Sequence, residues 1–141
     1  MKYESGFTFP EALVVLLIAT LVLSFSILYS YRTSIKIEET QFFLLLKQDI
    51  LSAQVSSIEQ KRPYAVNFSS AQNVYTIHSG INELKRVKFP DSVRFKDTAY
   101  LSIIQFTADG SITSFGTAIF VTSKGDKTIT VHIGKGRVQL E

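Results

Sequence analysis

Residues 12–31 are twenty consecutive positions without a charge, with Glu11 directly before them and no glycine or proline after them until Pro63. Twenty helical residues rise roughly 30 Å, the thickness of a bilayer's hydrocarbon core, so this stretch is long enough to span a membrane as a helix. Glu11 stands on its rim. A carboxylate carried to the membrane centre costs about 2 to 3 kcal/mol, so Glu11 must stay at the interface or take a cationic partner. A secretory signal peptide has an apolar core of about 7 to 15 residues ending at a small-residue cleavage site, which this run exceeds. A plain single-pass anchor explains the length but not the residues in front of it.

Those residues are Gly6-Phe7-Thr8-Phe9-Pro10-Glu11, after a short polar leader. Thr8 and Glu11 have the spacing of a capping box, and Pro10 falls in the first turn, where its missing N–H costs nothing. The leader ending in glycine, the Phe-Thr pair, the glutamate five residues after the glycine and the unbroken apolar helix resemble the N-terminus of type IV pilins and pseudopilins. The resemblance implies that a prepilin peptidase cuts after Gly6 on the cytoplasmic face and methylates the amine of Phe7. It also implies that Glu11 pairs with the N-terminal amine of a neighbouring subunit during assembly. An ammonium is the natural partner for a carboxylate leaving water. Pro10 departs from the family, which usually has a branched apolar residue there, and is tolerated this early in a helix.

No cysteine is present, so the chain outside the apolar run must be held by its core without disulfides, and it has no thiol nucleophile or thiolate metal site. In an extracellular setting this favours a Gram-positive exterior over a periplasm. Subtracting the apolar helix from 141 residues leaves enough chain for one compact domain. From Arg32 onward there are fourteen Lys and Arg against ten Asp and Glu, a mild basic excess that suits a polyanion or an anionic envelope. Lys2 and the amino terminus compete with Arg32 and Lys36 across the apolar run, so charge alone leaves orientation open. The family resemblance places the N-terminus in the cytoplasm and the C-terminal domain outside.

Helical pattern continues past the apolar run. Leu44, Leu51, Val55 and Ile58, with Leu46 and Ile50 alongside, recur at helical spacing and predict a stripe that covers a sheet, with Lys47, Gln54, Gln60 and Lys61 opposite. After Pro63 the period becomes alternating. Strands are expected at 64–68, 73–78, 84–89, 93–95, 100–107, 112–115, 118–122, 128–133 and 137–140, with turns at Pro90-Asp91, Ala108-Asp109-Gly110-Ser111 and Lys124-Gly125-Asp126. The expected fold is α+β: a long N-terminal helix packed on an antiparallel β-meander, pilin-like. Its expected divisions are a leader over 1–6, a transmembrane or filament-core helix over 7–31, an amphipathic continuation over 32–62 and an antiparallel β domain over 63–141.

The C-terminal stretch Phe106-Thr107-Ala108-Asp109-Gly110-Ser111, then Lys127 to Ile133 and Gly134-Lys135-Gly136-Arg137-Val138, resembles the end of the general-secretion H-type and fimbrial-T-type minor pilin domain. With the small size, absent cysteines and basic domain, the chain is most similar to the D-type competence pseudopilins of Gram-positive bacteria. That resemblance implies a processed, non-enzymatic structural or assembly-priming subunit of a DNA-uptake pilus. Its partners would be other pilins, the prepilin peptidase and the membrane before assembly at the cell surface.

Catalytic signals are weak. His78 and His132 have no Asp or Glu at metal-ligand spacing, no Gly-x-Ser-x-Gly elbow is present, and Gly134-Lys135-Gly136-Arg137 lacks the phosphate-loop pattern. No catalytic residue, metal site or cofactor is expected. The alternative function is DNA reception. Lys85, Arg86, Lys88, Arg94 and Lys96 crowd one stretch and Lys124, Lys127, Lys135 and Arg137 another, so folding can merge them into a basic face for phosphates. A charge run is more often a solvated face.

Overall fold

The computed structural model describes residues 8–96, 100–132 and 138–140, with the side chains of 26–33 and 140 outside that description. Its elements are α1 (Phe9–Gln60), β1 (Tyr64–Ser69), β2 (Val74–Ser79), β3 (Asn82–Lys88), β4 (Arg94–Phe95), β5 (Ile103–Phe106), β6 (Gly116–Thr122), β7 (Gly125–Val131) and β8 (Val138–Leu140).

The absence of glycine and proline lets α1 run through Gln60, where its end is well defined. Lys61 turns left-handed at φ 53°, the Arg62 N–H reaches back to the Ser57 carbonyl at 3.3 Å, and Pro63 cannot continue the helix. This is a Schellman closure with lysine in the position glycine usually takes. In the first part of α1, up to Lys36, every large apolar side chain described from Phe9 to Phe25 is more than half exposed. Thr20 and Ser24 turn their hydroxyls onto the carbonyls of Leu17 and Thr20, both at 2.8 Å, so these polar groups are satisfied within the helix.

From Ile37 onward the structure forms a second unit with its own core. Its strands are antiparallel and divide into two four-stranded sheets, β3-β2-β1-β5 and β4-β6-β7-β8. The α+β class and the antiparallel pairing agree with the sequence pattern, and each sheet contains a three-strand meander. The division into two sheets is not visible in the pattern. α1 faces both: Phe42 meets Tyr75 of the first sheet at a centroid distance of 6.1 Å, and Phe43 meets Phe120 of the second edge-on at 5.6 Å. Phe68 and Phe120, 5.5 Å apart, join the sheets directly.

Two expectations need correction. Of the expected stripe, Leu46 and Ile50 are buried in the core, but Leu44, Leu51, Val55 and Ile58 are 67%, 45%, 52% and 44% exposed and do not cover a sheet. The buried line is Phe43, Leu46, Ile50, Ala53 and Ser57, which has the same helical spacing on the opposite side. α1 has apolar residues on two faces. The face with Phe42 and Phe43 goes inward because it offers large rings to Tyr75, Phe89 and Phe120.

The expected strand at 112–115 is also absent. Only Ile112 bridges, to Phe106. The turn before it closes tightly, with the Thr107 N–H donating to the Ser111 carbonyl at 2.9 Å, and the Thr113 N–H still bonds to Gln105 at 3.0 Å. The chain then leaves this edge to begin β6 in the other sheet. Gly110 in that turn has φ +80°, and a Cβ there would lie 2.6 Å from Ile58 of α1. Its carbonyl accepts a hydrogen bond from the Gln54 amide at 2.9 Å.

Candidate functional site

At the start of α1, Thr8 is the N-cap and Glu11 the third helical residue. The Glu11 carboxylate accepts from the Thr8 backbone N–H at 3.4 Å and lies 3.5 Å from its hydroxyl, while the Ala12 N–H closes the first turn on the Thr8 carbonyl at 3.1 Å. The half of the capping box that runs from the glutamate back to the N-cap is present, and both residues are exposed. One oxygen of the carboxylate is held at the helix's own N-cap, and the group stays open to a cation. Gly6 and Phe7 lie outside the described residues.

Among the described residues no helix is long and apolar enough to cross a membrane. Described side chains cover residues 12–25 of the uncharged run, fourteen of its twenty positions, and the other six lie outside.

The basic residues are spread over both sheets. Three ride on β3, the exposed edge of the first sheet. There Lys85 Nζ lies 2.7 Å from Asp49 on α1, Arg86 pairs with Glu83 at 2.6 Å and also donates to Gln72 at 2.8 Å, and Lys88 faces Asp91 at 3.6 Å. In the second sheet Lys96 pairs with Asp126 at 2.6 Å, and Lys127 sits over the Phe43 ring, 4.8 Å from its centroid. Arg94 on β4 and Lys124 in the β6–β7 turn are exposed. Lys135 and Arg137 lie outside the described residues. Four of the seven described basic residues thus stand against a carboxylate, and Lys85 and Lys127 turn toward α1.

His78 Nε2 lies 2.9 Å from the Thr76 hydroxyl, His132 is exposed, and no group of three His, Asp or Glu among the described residues is placed to hold a metal. An open groove of about 630 Å³ lies beside α1, between Gln41, Phe42 and Leu45 and the segment from Val87 to Asp91. Its charged lining is Glu38 and the Lys88–Asp91 pair.

Sequence reasoning missed two buried acids and assigned one surface to the wrong neighbour. Glu39 and Asp49 are 5% and 8% exposed and fasten α1 to the strands, although each sits in a charged stretch that reads as solvated. The surface is the exposed face of α1 opposite the core. Its signal, apolar residues seven apart from Ile37 to Ile58, is present in the sequence.

No family model matches the chain, and no curated protein is significantly similar to it. Its fold is similar to that of the type IV minor pilin FimU of Pseudomonas aeruginosa in two crystal forms. One has a TM-score of 0.57 at 16% identity, covering 80% of this chain and 92% of that one. The other has 0.53 at 17% identity, covering 68% and 86%. It is also similar to the minor pseudopilin EpsH from the Type 2 Secretion System of Vibrio cholerae, with a TM-score of 0.54 at 12% identity, covering 76% of this chain and 95% of that one. The chain therefore has a pilin-like fold, a long N-terminal helix with antiparallel sheets on its second half.

Proposed function

We propose that this chain is a non-enzymatic minor pseudopilin. In this reading a prepilin peptidase cuts between Gly6 and Phe7, and the chain enters a membrane through its apolar helix. It then joins or primes a pilus through that helix and Glu11. The observation that carries the reading is the first part of α1: an exposed carboxylate in the first turn, followed by apolar side chains that, among the described residues, stay more than half exposed. Such a surface is unfavourable in water and needs lipid or other helices around it. Inside a bundle of such helices Glu11 needs a positive charge, and a newly freed N-terminal amine supplies one. The pilin-like fold supports the same reading. The D-type competence resemblance of the sequence makes a DNA-uptake pilus the proposed setting, with other pilins as partners.

The test is the intact mass of the protein from cells with and without their prepilin peptidase. The expected result is a peptidase-dependent loss of residues 1–6 and gain of one methyl group on Phe7. An uncut chain in peptidase-containing cells overturns the proposal. Glu11→Ala should leave the cut intact and reduce incorporation into the pilus, since it removes the pairing charge and leaves the cut site unchanged.

A further inference from the structure

α1 turns a second apolar stripe away from its own core, with Ile58 at its end also lying beside Gly110 of the β5–β6 turn. Ile37, Leu44, Leu51 and Ile58 follow one another at intervals of seven residues, with exposures of 51%, 67%, 45% and 44%. Between them, at the alternate positions of the same seam, stand Gln41, Gln48 and Val55, all exposed. The buried residues Phe43, Leu46, Ile50, Ala53 and Ser57 occupy the opposite side of the helix. A stripe that repeats every seven residues stays in line only against another helix wound around it with a left-handed twist, so the surface fits a helix better than a sheet or loop.

We propose that this seam pairs with the same seam of a second copy of the chain, the two helices parallel and in register. The glutamines decide the occupant and its direction. In a parallel, in-register pair each layer sets a residue against its own counterpart, so Gln41 meets Gln41 and Gln48 meets Gln48. Each amide then finds a donor and an acceptor across the seam. An antiparallel pair sets both glutamines against leucine or isoleucine, which leaves buried amides without partners. A slip of one heptad keeps one glutamine pair and sets one of the other two glutamines against Val55 and the other against Ser34. Val55 in the layer that alternates with Leu44 and Leu51 is the arrangement that favours two strands. At the flanks Lys47 falls beside Ser52 of the second copy and Gln54 beside Glu59, so no like charges meet. The core of each copy lies on the far side of its helix, and its Gly110 turn flanks the seam at Ile58. This pairing goes beyond the pilus role and does not depend on it.

The chain has no cysteine, so single cysteines report position cleanly in the full-length protein in its membranes. Gln48→Cys and Leu51→Cys lie in the seam, and their neighbours Lys47→Cys and Ser52→Cys lie beside it. Under mild oxidation the seam cysteines should give a disulfide-linked species of twice the chain mass, formed about tenfold faster than at the neighbours. Equal rates at all four positions, or no linked species, overturn the proposal. Because each variant carries one cysteine, a pair that is staggered or antiparallel does not link at these positions either. A benzophenone attached at Leu51→Cys captures whatever covers the seam. An adduct of twice the chain mass is expected, and an adduct of any other mass overturns a second copy as the occupant. Peptidase trimming is read by mass in the same samples, so a correctly trimmed chain that fails to link overturns the pairing alone.

Discussion

Glu39 holds Ser123 with both of its carboxylate oxygens, one on the backbone N–H and one on the hydroxyl, each at 2.9 Å. The contact ties α1 to the β6–β7 turn, 84 residues away in sequence. Burial raises the Glu39 pKa, but the two Ser123 hydrogen bonds and the nearby Lys127 charge outweigh it and leave the pKa below the ordinary 4.5. A carboxyl group with a depressed folded pKa adds stability above its unfolded pKa and loses it as pH falls through the folded value. The thermal stability of the full chain in detergent should therefore fall as pH drops below about 4.5. Glu39→Ala should lower stability by about 1 to 2 kcal/mol at neutral pH and flatten that acid limb. An unchanged acid limb in the variant would mean that other carboxylates dominate it.

Asp49 is the other buried fastening. It accepts from the Tyr75 hydroxyl at 2.6 Å and from Lys85 Nζ at 2.7 Å. Burial, the hydrogen bond to Asp49 and its negative charge together push the Tyr75 pKa far above its usual value, so the phenol donates at any ordinary pH. Asp49→Ala leaves a buried hydroxyl without its acceptor and should cost about 3 kcal/mol, while Tyr75→Phe, which leaves Lys85 in place, should cost about 1 to 2. Lys85→Met should cost less than 1 kcal/mol, because its side chain is 42% exposed and solvent screens the pair. Urea titrations of the three variants should preserve that order, and a Lys85 variant as damaging as the Asp49 variant would contradict it.

Lys61 pays the usual penalty of a side chain in the left-handed region, at φ 53°. Its carbonyl partners and the Pro63 stop are already in place, so Lys61→Gly should keep the helix end and raise stability by about 1 kcal/mol. A destabilised glycine variant would show that the lysine side chain contributes more at this position than its backbone costs.

The sequence makes the outline of this fold legible, and physical ambiguity hides the rest. The switch from helical to alternating period at Pro63 marks the end of α1 because proline and the pattern change coincide. β1 and β2 fall within a residue of their expected limits, since Asn73, the αL residue at φ 53°, lies just before β2 in a short loop of turn-forming residues. The inward face of α1 is not legible in the same way. Phe43, Leu46 and Ile50 lie three and four residues apart and Leu44, Leu51 and Ile58 seven apart, both of them helical spacings, and only the rings of the partner strands choose between the stripes. The strand expected after Ser111 fails for a related reason: Ile112 to Phe115 has strand composition, but a chain changing sheets cannot keep pairing with the one it leaves. At the N-terminus Glu11 is legible because a charge at the edge of a long apolar run is conspicuous. Glu39 and Asp49 are not, because their partners Ser123, Tyr75 and Lys85 are remote in sequence.

The paired state of the basic residues bears on nucleic-acid binding. Lys88 stands 3.6 Å from Asp91 and Lys96 2.6 Å from Asp126, so a phosphate approaching either lysine meets a carboxylate as well. The full chain should bind a short DNA duplex weakly near physiological salt, with a shallow dependence on salt. Asp91→Asn together with Asp126→Asn frees both lysines and adds two units of positive charge. If the lysines then meet phosphates, affinity should rise and the slope of log affinity against log salt should steepen by about 1 to 2. Fluorescence anisotropy across a salt series reads both quantities. Tight binding by the unaltered chain with a steep salt slope, lost on replacing Arg94 and Lys124 with alanine, would instead make the two exposed cations a DNA contact that operates despite the neighbouring ion pairs.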